Sequence, residues 1–574
     1  MMVLSAKEVF VMLEQPQQKY RPFIFMDFPE RTWPSRRIQQ APMWCSTDMR
    51  DGNQALANPM DHDKKKAFFE LLLGCGFKQI EVAFPAASQT DFNFVRYLIE
   101  EQKIPDDITI QVMTQARADL IDRTFAALKG AKSAIVHVYN ATAEVFRRIV
   151  FQKSRAEIIQ LAIAATAQIK ARCAEQADTQ WTYQYSPETF CFTEMDFALE
   201  ICEAVAAVWQ PSADRPMIIN LPTTVEVSTP NVFADQIEYF CQHFSQRDAV
   251  SISIHPHNDR GTGVATAELA LMAGADRVEG CLFGNGERTG NVDLVNIALN
   301  LYSQGIAPQL DFSDIRKVAE IVQQCNELPI HPRHPYVGEL VFTAFSGSHQ
   351  DAIKKGFQAR QQQTHCYWEV PYLPIDPADL GCSYEAVIRV NSQSGKSGAS
   401  WILQQNHGLE LPASLQRDFS QVIQQHTEQA NRELSAAEIW QIFCQSYGIH
   451  ATPHLQLLDY QSQKMTDASY QVQLNIDAAG RKSKLQGHGN GLLSASLLAL
   501  QHKWPVAMTI AEYSEHTLGS RSHSRCISYI RCLDAQGQSY WGVAIDHDIA
   551  SSSVQALLNA HANYLAQQGL SLSA

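Results

Sequence analysis

Between about residues 40 and 300 the chain repeats one unit: a short β-branched run, a polar turn and an amphipathic helical stretch. The strand candidates are 42–48, 79–84, 108–114, 133–139, 181–186, 217–221, 251–255 and 277–283. In the intervening stretches apolar residues recur at i, i+3 and i+4, which is typical of helices. Eight such units predict a (β/α)8 barrel. A doubly wound sheet has the same alternation, but no glycine-rich dinucleotide turn follows the first strand.

A barrel of this kind carries its active site at the carboxyl ends of its strands. Polar and ionisable residues gather at those ends and not at the strand starts. They include Asp48–Gln54, His137, Tyr139, Ser186, Glu188, Thr224, His255, His257 and the stretch GNGERTGN at 284–291. We therefore expect catalysis at this face.

Asp51, His255 and His257 form a candidate metal site. The two histidines end a strand two residues apart, so they leave the pleat on one face. Two imidazoles and a carboxylate suit a divalent cation and admit Zn²⁺, Mn²⁺, Mg²⁺ or Co²⁺. A hydrogen-bonded histidine pair and a turn aspartate are the alternatives. Arg50 suits either a structural salt bridge or a clamp on a carboxylate or enolate oxygen.

After residue 330 the pattern changes. Proline-rich segments flank the helix-like SHQDAIKKGF, and from about residue 452 a βββα unit occurs twice, which indicates an internal duplication. We predict an N-terminal extension (1–40), the barrel (41–330), linker subdomains (331–430) and a C-terminal α+β domain of two βββα units (431–574).

Composition argues against several classes of protein. A net charge of -14 without a Lys/Arg stripe argues against nucleic-acid binding. No segment approaches the ~20 apolar residues of a membrane span. The thirteen cysteines include no C-x-x-C pair, and the first residues lack a signal-peptide core. A soluble, cytoplasmic protein is expected.

Four stretches resemble the long-form 2-isopropylmalate synthases of leucine biosynthesis, within the metal-dependent Claisen-condensing barrel enzymes. They are STDMRDGNQAL (46–56), HPHNDRGTG and its continuation (255–300), SGSHQDAIKKG (346–356) and WEVPYLPIDP (368–377). The D-x-R-D-G and HxHND motifs are common to the wider family, whereas the last two stretches are narrower. The resemblance covers nearly all of the chain from about residue 20.

This resemblance implies that acetyl-CoA is joined to 3-methyl-2-oxobutanoate to give 2-isopropylmalate and CoA. It implies a divalent cation such as Mg, Mn or Zn on Asp51, His255 and His257, with Asn291 as a weak further ligand. A monovalent cation such as K⁺ is left open. Arg50 would stabilise the developing alkoxide. The positions that match the 2-oxo acid pocket are His137, Tyr139, Ser186, Pro222 and Thr224.

The resemblance also assigns Glu188, His349 and Tyr372 to removal of a proton from the acetyl methyl group. We favour His349 as the base, assisted by Glu188, because His349 opens a helix whose positive end disfavours a protonated imidazole. His349 and Tyr372 lie in the linker. In the resembled family the linker reaches into the neighbouring subunit, so a homodimer is expected to be the catalytic unit.

The duplicated C-terminal domain resembles the family's leucine-sensing domain. Gly487, Gly489 and Gly491 lie between a strand and a helix, where backbone N–H groups are able to take a ligand carboxylate. Leucine is therefore the expected effector and feedback inhibitor. A duplicated dimerisation module without a ligand is the alternative.

Three further functions share parts of these signals. A sister synthase acting on pyruvate or 2-oxoglutarate differs in the size of its pocket. A lyase shares the metal motif, but the linker and the C-terminal domain speak against it. A non-catalytic amino-acid sensor should have lost some of Arg50, Asp51, His255 or His257, and all four are present.

Overall fold

The structure is a computed structural model that describes residues 15–20, 23, 26–361, 367–382, 396–430, 432, 434–449, 455–465, 469–519 and 524–570. The chain divides into two compact units. The first runs to residue 341 and includes 379–382, and the second comprises 342–378 and the residues from 383 onward. The finer division at residues 40, 330 and 430 stays a prediction.

Eight parallel strands close into a barrel in the first unit. They are β1 Met43–Ser46, β2 Gln79–Ala83, β3 Thr109–Gln115, β4 Ser133–Ala141, β5 Gln180–Glu188, β6 Met217–Pro222, β7 Ser251–His255 and β8 Arg277–Gly280. Each strand pairs with the next, and β1 pairs with both β2 and β8. The predicted barrel is confirmed, and the doubly wound alternative is wrong because that sheet has no closing pair.

Helices connect the strands and cover the barrel. They are α1 His62–Gly74, α2 Gln89–Glu100, α3 Ala118–Leu128, α4 Arg155–Glu175, α5 Met195–Trp209, α6 Pro230–His243, α7 Gly263–Met272, α8 Leu294–Ser303 and α9 Ile315–Asn326. Local sequence sets several of their starts. Asp61 caps α1 by accepting from the backbone of Lys64, and Ser154 with Glu157 forms a capping box on α4.

Strands β1 and β8 end two and three residues earlier than the sequence predicted, and β2 ends one residue earlier. Residues Asp48–Gly52 leave β1 as a π-helical turn, and β8 gives way after Gly280 to a turn in which Phe283 has a φ of 56°. A π-turn and a left-handed residue both point side chains away from the direction that a strand would impose. These turns place the residues that follow β1 and β8 at the carboxyl-end face of the barrel, where catalysis is predicted.

The interior of the barrel is polar where many barrels are apolar. Glu81, Gln111, Gln184, Arg277 and Glu279 are fully buried. Hydrogen bonds join β8 to β3 and β5, which are not its neighbours in the sheet, so these side chains lie inside the barrel. Layers of branched apolar side chains are the usual filling.

The described part of the second unit consists of a series of helices followed by two βββα repeats. The helices are α10 Gly347–Gln361, α11 Lys396–His407, α12 Ala413–Ala430 and α13 Ala436–Tyr447. The repeats are β9 Leu455–Lys464, β10 Tyr470–Ala478, β11 Arg481–Gly489 and α14 Leu492–Lys503, then β12 Met508–Leu518, β13 Arg525–Asp534, β14 Ser539–Asp546 and α15 Ile549–Gln567. Each set of strands forms an antiparallel three-stranded sheet. The predicted duplication is confirmed.

The two repeats use glycine in the same way. A Cβ on Gly487 of β11 would come 2.2 Å from the carbonyl oxygen of Ala495 in α14. A Cβ on Gly542 of β14 would come 2.1 Å from the carbonyl oxygen of Ala556 in α15. Both positions therefore exclude a side chain so that the helix can lie directly on the sheet. Within the described residues, no helix combines the length and apolarity that crossing a membrane requires.

Candidate active site

A cavity of about 160 Å³ lies at the carboxyl ends of the barrel strands. Its walls are Arg50, Asp51, Gln54, Phe84, Met113, His137, Tyr139, Ser186, Glu188, Asn220, Pro222, Thr224, His255 and His257. All five predicted 2-oxo acid residues are among them. Arg50, Glu188 and the three principal predicted metal ligands line the same space.

Three lining residues were missed from the sequence: Phe84, Met113 and Asn220. Gln54 belongs to the polar stretch predicted to follow the first strand. Strand alternation was the signal for two of the missed residues. Asn220 lies two residues before Pro222 in β6, and Met113 occupies the inward face of β3, so both share a face with neighbours inside the barrel. Phe84 follows the end of β2 and carries no distinguishing pattern.

Asp51, His255 and His257 lie close enough to hold one ion. Their candidate ligand atoms are all within 4.8 Å of one another, and all three residues are buried. Asp51 Oδ2 is 3.4 Å from His255 Nε2, and Asn291 Oδ1 is 2.9 Å from the same nitrogen. The predicted fourth ligand therefore lies beside the other three.

The atoms that meet at this point are acceptors. His255 Nδ1 faces Glu279 Oε2 at 2.9 Å, so in the neutral ring it carries the hydrogen and the lone pair is on Nε2. Asn291 donates its amide hydrogen to the Asn285 carbonyl at 3.0 Å, so its Oδ1 is the oxygen that faces His255. Asp51 Oδ2 and His257 Nδ1 are buried and have no hydrogen-bond partner among the described residues. Such a set fits a divalent cation, because only a positive group satisfies all of these atoms at once.

Burial and the neighbouring charges shift the pKa values of the three candidate metal ligands. Burial opposes ionisation of Asp51, but the Arg50 guanidinium and the His255 ring hold its pKa well below the usual range. Burial also lowers the pKa of His255, yet the Asp51 and Glu279 carboxylates outweigh it and raise that pKa to about 10. Burial and the neighbouring His255 lower the pKa of His257 to about 4. A proton on His255 therefore balances the Asp51 carboxylate, and a divalent cation would compete with that proton for His255 Nε2.

Arg50 is held between two carboxylates. Its Nη1 donates to Asp51 Oδ1 at 2.5 Å, and its Nε donates to Glu81 Oε2 at 2.6 Å. The salt-bridge alternative is therefore realised, and the guanidinium still lines the cavity. The other oxygen of Glu81 faces His137 Nδ1 at 2.8 Å, and His137 Nε2 faces Ser186 Oγ at 2.7 Å. A buried chain thus links the candidate metal ligand Asp51 to the predicted substrate pocket.

The opposite wall contributes Glu188, Tyr139 and Thr224. Burial raises the pKa of Glu188, with Arg50 acting in the opposite direction. Burial also raises the pKa of Tyr139. Thr224 adopts a φ of 58°, and its Oγ1 accepts from the backbone N–H of Thr189 at 2.9 Å. Its own hydroxyl hydrogen is therefore available to an acceptor in the cavity.

His349 and Tyr372 belong to the second unit. His349 lies in the first turn of α10, as predicted, and its ring stacks on Tyr372 with centroids 4.0 Å apart. Both side chains are exposed, Tyr372 by 61%. They form one aromatic pair on the surface of that unit.

A second cavity, of about 420 Å³, lies between the two βββα repeats. It is lined by Asn490, Gly491, Leu492, Leu493, Ser494, Tyr513, Glu515, Ile549, Ala550 and Ser553. Of the three predicted effector glycines, Gly491 lines this cavity. Gly487 and Gly489 pack against α14, where an added Cβ would come within 2.6 Å of Ala495.

Comparison with known proteins assigns each part of the chain. The HMGL-like family model matches residues 41–322, the alpha-isopropylmalate synthase post-catalytic domain-like model matches 339–404, and the LeuA allosteric (dimerisation) domain model matches 433–565. The 2-isopropylmalate synthase of Marinomonas sp. (strain MWYL1) is 59% identical over 96% of this chain and 99% of that protein. The one from Pseudomonas entomophila (strain L48) is 54% identical over 97% and 99%. A solved hydroxymethylglutaryl-CoA lyase from Pseudomonas aeruginosa is 15% identical, with a TM-score of 0.43, and covers 51% of this chain and 95% of its own.

The metal site predicts that the purified protein binds Mn²⁺ and that loss of one ligand abolishes binding. Asp51→Asn keeps the shape of the side chain but removes its charge, so free Mn²⁺ measured by electron paramagnetic resonance should equal the total. His243→Gln is the control, since His243 is an exposed histidine on α6. Equal Mn²⁺ binding by wild type and Asp51→Asn would contradict the assignment.

Proposed function

Because the chain belongs to the 2-isopropylmalate synthase family, acyltransferases of leucine biosynthesis, we propose that it condenses acetyl-CoA with 3-methyl-2-oxobutanoate and water. The products are 2-isopropylmalate and CoA. The observation that carries this proposal is one cavity in which Arg50, the Asp51–His255–His257 set and Glu188 meet. A cytoplasmic homodimer is part of the same proposal, since it rests on the family and its dimerisation domain.

The reaction consists of a condensation followed by hydrolysis of the thioester. A base removes a proton from the acetyl methyl group, the resulting carbanion forms a C–C bond to the oxo carbon, and the oxo oxygen takes up a proton. Water then cleaves the thioester and releases CoA as a thiol. A divalent cation on Asp51, His255 and His257, beside Asn291, would supply a Lewis acid that polarises the oxo group.

The chain's own residues would orient the 2-oxo acid. Arg50 donates to two carboxylates and has no partner for Nη2 among the described residues, so it is able to donate to the oxygen that gains charge. Thr224 would donate its hydroxyl hydrogen to the substrate carboxylate. Ser186 is fixed by His137 and by Asn220, whose amide donates to it at 3.0 Å. Fixed donors of this kind need no rearrangement as charge develops.

The lining of the cavity favours a branched apolar side chain on the 2-oxo acid. Phe84, Met113 and Pro222 supply apolar walls. Among the lining residues that the structure describes, Arg50 is the one lysine or arginine, and it already pairs with Asp51 and Glu81. A second substrate carboxylate, as in 2-oxoglutarate, would have no lysine or arginine of its own here.

His349 is proposed as the base, with Glu188 and Tyr372 assisting. The stacked pair in the second unit offers an accessible imidazole whose ring plane is fixed by Tyr372. Glu188 is proposed to assist because burial raises its pKa, so part of its population stays protonated at a higher pH than usual. Acetyl-CoA is the proposed cosubstrate.

The cavity between the repeats is proposed to bind leucine as a feedback inhibitor. Helix α14 starts after Gly491 with no side-chain cap, so its first N–H groups are available to a carboxylate. Glu515 offers an acceptor for an ammonium group, and Leu492, Leu493 and Ile549 offer apolar contact. The cavity thus offers a partner for the carboxylate, for the ammonium group and for the apolar side chain of leucine.

Substrate choice tests the proposed reaction. With acetyl-CoA present, thiol release should be fastest with 3-methyl-2-oxobutanoate. It should be at least about 100-fold slower in kcat/KM with pyruvate, which lacks two methyl groups, since each missing group in an apolar pocket costs about 10-fold or more. 2-Oxoglutarate should be slower still because its second carboxylate lacks a partner. Higher kcat/KM with either alternative would assign the chain to a sister synthase.

His349→Ala should lower kcat by about 10²–10⁴-fold, because a positioned base contributes that much, with little change in KM for the 2-oxo acid. Tyr367→Ala is the matched control, as Tyr367 is 91% exposed in the same unit as His349 and carries no proposed role. Near-normal turnover of His349→Ala would exclude it as the base.

Glu515→Gln should raise the leucine concentration for half-inhibition by roughly 10-fold or more, because a hydrogen bond to a charged group is lost. Uninhibited turnover should not change. Glu512→Gln is the control, since Glu512 lies on the same strand and accepts from Ser414 instead of lining the cavity. If leucine does not inhibit the wild-type enzyme, the C-terminal domain is a dimerisation module without an effector.

A further inference from the structure

The fully buried side chains Arg277 and Glu279 stand directly behind the predicted metal site. Glu279 Oε1 accepts three hydrogen bonds, from Arg277 Nη1 at 2.7 Å, Gln184 Nε2 at 2.7 Å and Gln111 Nε2 at 3.0 Å. Its other oxygen, Oε2, faces His255 Nδ1 at 2.9 Å. One carboxylate thus joins the interior of the barrel to one metal ligand.

All three nitrogens of the Arg277 guanidinium donate hydrogen bonds. Its Nε donates to Gln79 at 2.6 Å, its Nη2 donates to Gln111 at 2.8 Å, and its Nη1 also donates to Ser253 at 2.9 Å. The Arg277 guanidinium thus pairs with the Glu279 carboxylate at 2.7 Å, and both side chains are fully buried. The carboxylate is therefore an acceptor only, and it demands a hydrogen on His255 Nδ1.

We propose that Glu279 is a positioning residue of the metal site, which holds His255 in the tautomer and orientation that present its Nε2 lone pair to the ion. Arg277 and Gln184 act through Glu279 by fixing which of its oxygens faces His255. This inference rests on the metal site of the proposed function. It concerns residues behind the ligands and not the ligands themselves.

The other histidine of the pair has no such support. His257 Nδ1 has no hydrogen-bond partner among the described residues, and its backbone N–H is what Thr223 Oγ1 fixes, at 2.8 Å. Glu81 braces His137 and Arg50, which are not metal ligands. Glu279 is thus the carboxylate among these that touches a metal-binding imidazole.

Glu279→Gln tests the role by geometry alone. Arg277, Gln184 and Gln111 all aim donors at the Oε1 position, so the glutamine carbonyl must occupy it. Its NH2 group then faces His255 Nδ1 and forces the hydrogen onto Nε2, where the ion would bind. Loss of such a support typically lowers metal affinity by 10–100-fold.

The Kd for Mn²⁺ would be measured on wild type, Glu279→Gln and Glu238→Gln, with Tm recorded for each. Glu238 is equally buried but accepts from Thr32 and Trp33, away from the site. We expect a 10–100-fold higher Kd only in Glu279→Gln, with a matching rise in the Mn²⁺ concentration that supports half-maximal turnover. A Glu279→Gln protein that is folded and binds Mn²⁺ as wild type does would overturn the inference.

Two further outcomes remain separable. Failure of the wild type to bind Mn²⁺ would refute the metal site, and with it this inference, whereas normal wild-type binding with an unaffected Glu279→Gln refutes the inference alone. If Glu279→Gln does not fold, Gln184→Met decides, because it removes one donor and leaves the carboxylate in place. It should weaken Mn²⁺ binding by less than 10-fold yet measurably, and an unchanged Kd would overturn the proposal.

Discussion

Charge buried inside the barrel is the constraint on which the rest of the site depends. Placing an ion in a protein interior costs several kcal/mol even after relaxation, and a lone buried charge is not tolerated. The barrel holds Arg50, Glu81, Arg277 and Glu279 with little or no exposure, and each is bonded to partners of opposite charge. An apolar interior would be easier to bury. The polar interior instead forms hydrogen bonds to Arg50, His137 and His255 at the carboxyl ends of the strands, and these bonds fix the side chains that line the cavity.

The turn that carries the candidate metal ligand Asp51 is also held in place by a buried charge. Asp51 lies on a π-helical turn, whose carbonyl at Met49 is within 3.5 Å of the ammonium of the fully buried Lys65. Lys65 also pairs with Asp91 at 2.6 Å, and the second oxygen of Asp91 accepts from the backbone of Phe84. One lysine therefore ties the turn after β1 to the loop after β2. These contacts hold the irregular turn in place.

Sequence patterns predicted the barrel, its strand order and most of the cavity, because period-two burial and the placement of polar residues at strand ends are local properties. They did not predict Glu279 or Arg277, which read as two polar residues in a buried strand. Their importance comes from bonds to β3 and β5, and no local pattern encodes a contact across a barrel. The ends of β1 and β8 were missed for a related reason, since Asp48 and Phe283 leave their strands for turns fixed by tertiary bonds.

The duplicated domain separates two uses of glycine that the sequence merges into one motif. Gly487 matches Gly542 of the second repeat, so its lack of a side chain serves packing of a helix on a sheet, whether or not a ligand binds. Gly491 has open space around its Cβ position and borders the cavity. That cavity is lined by the first turns of both α14 and α15, so a ligand in it would contact both repeats. A ligand shifts an equilibrium only through unequal contacts in its two states, and contact with both repeats makes affinity depend on their spacing. The duplicated architecture thus supplies the kind of element through which an effector is able to act.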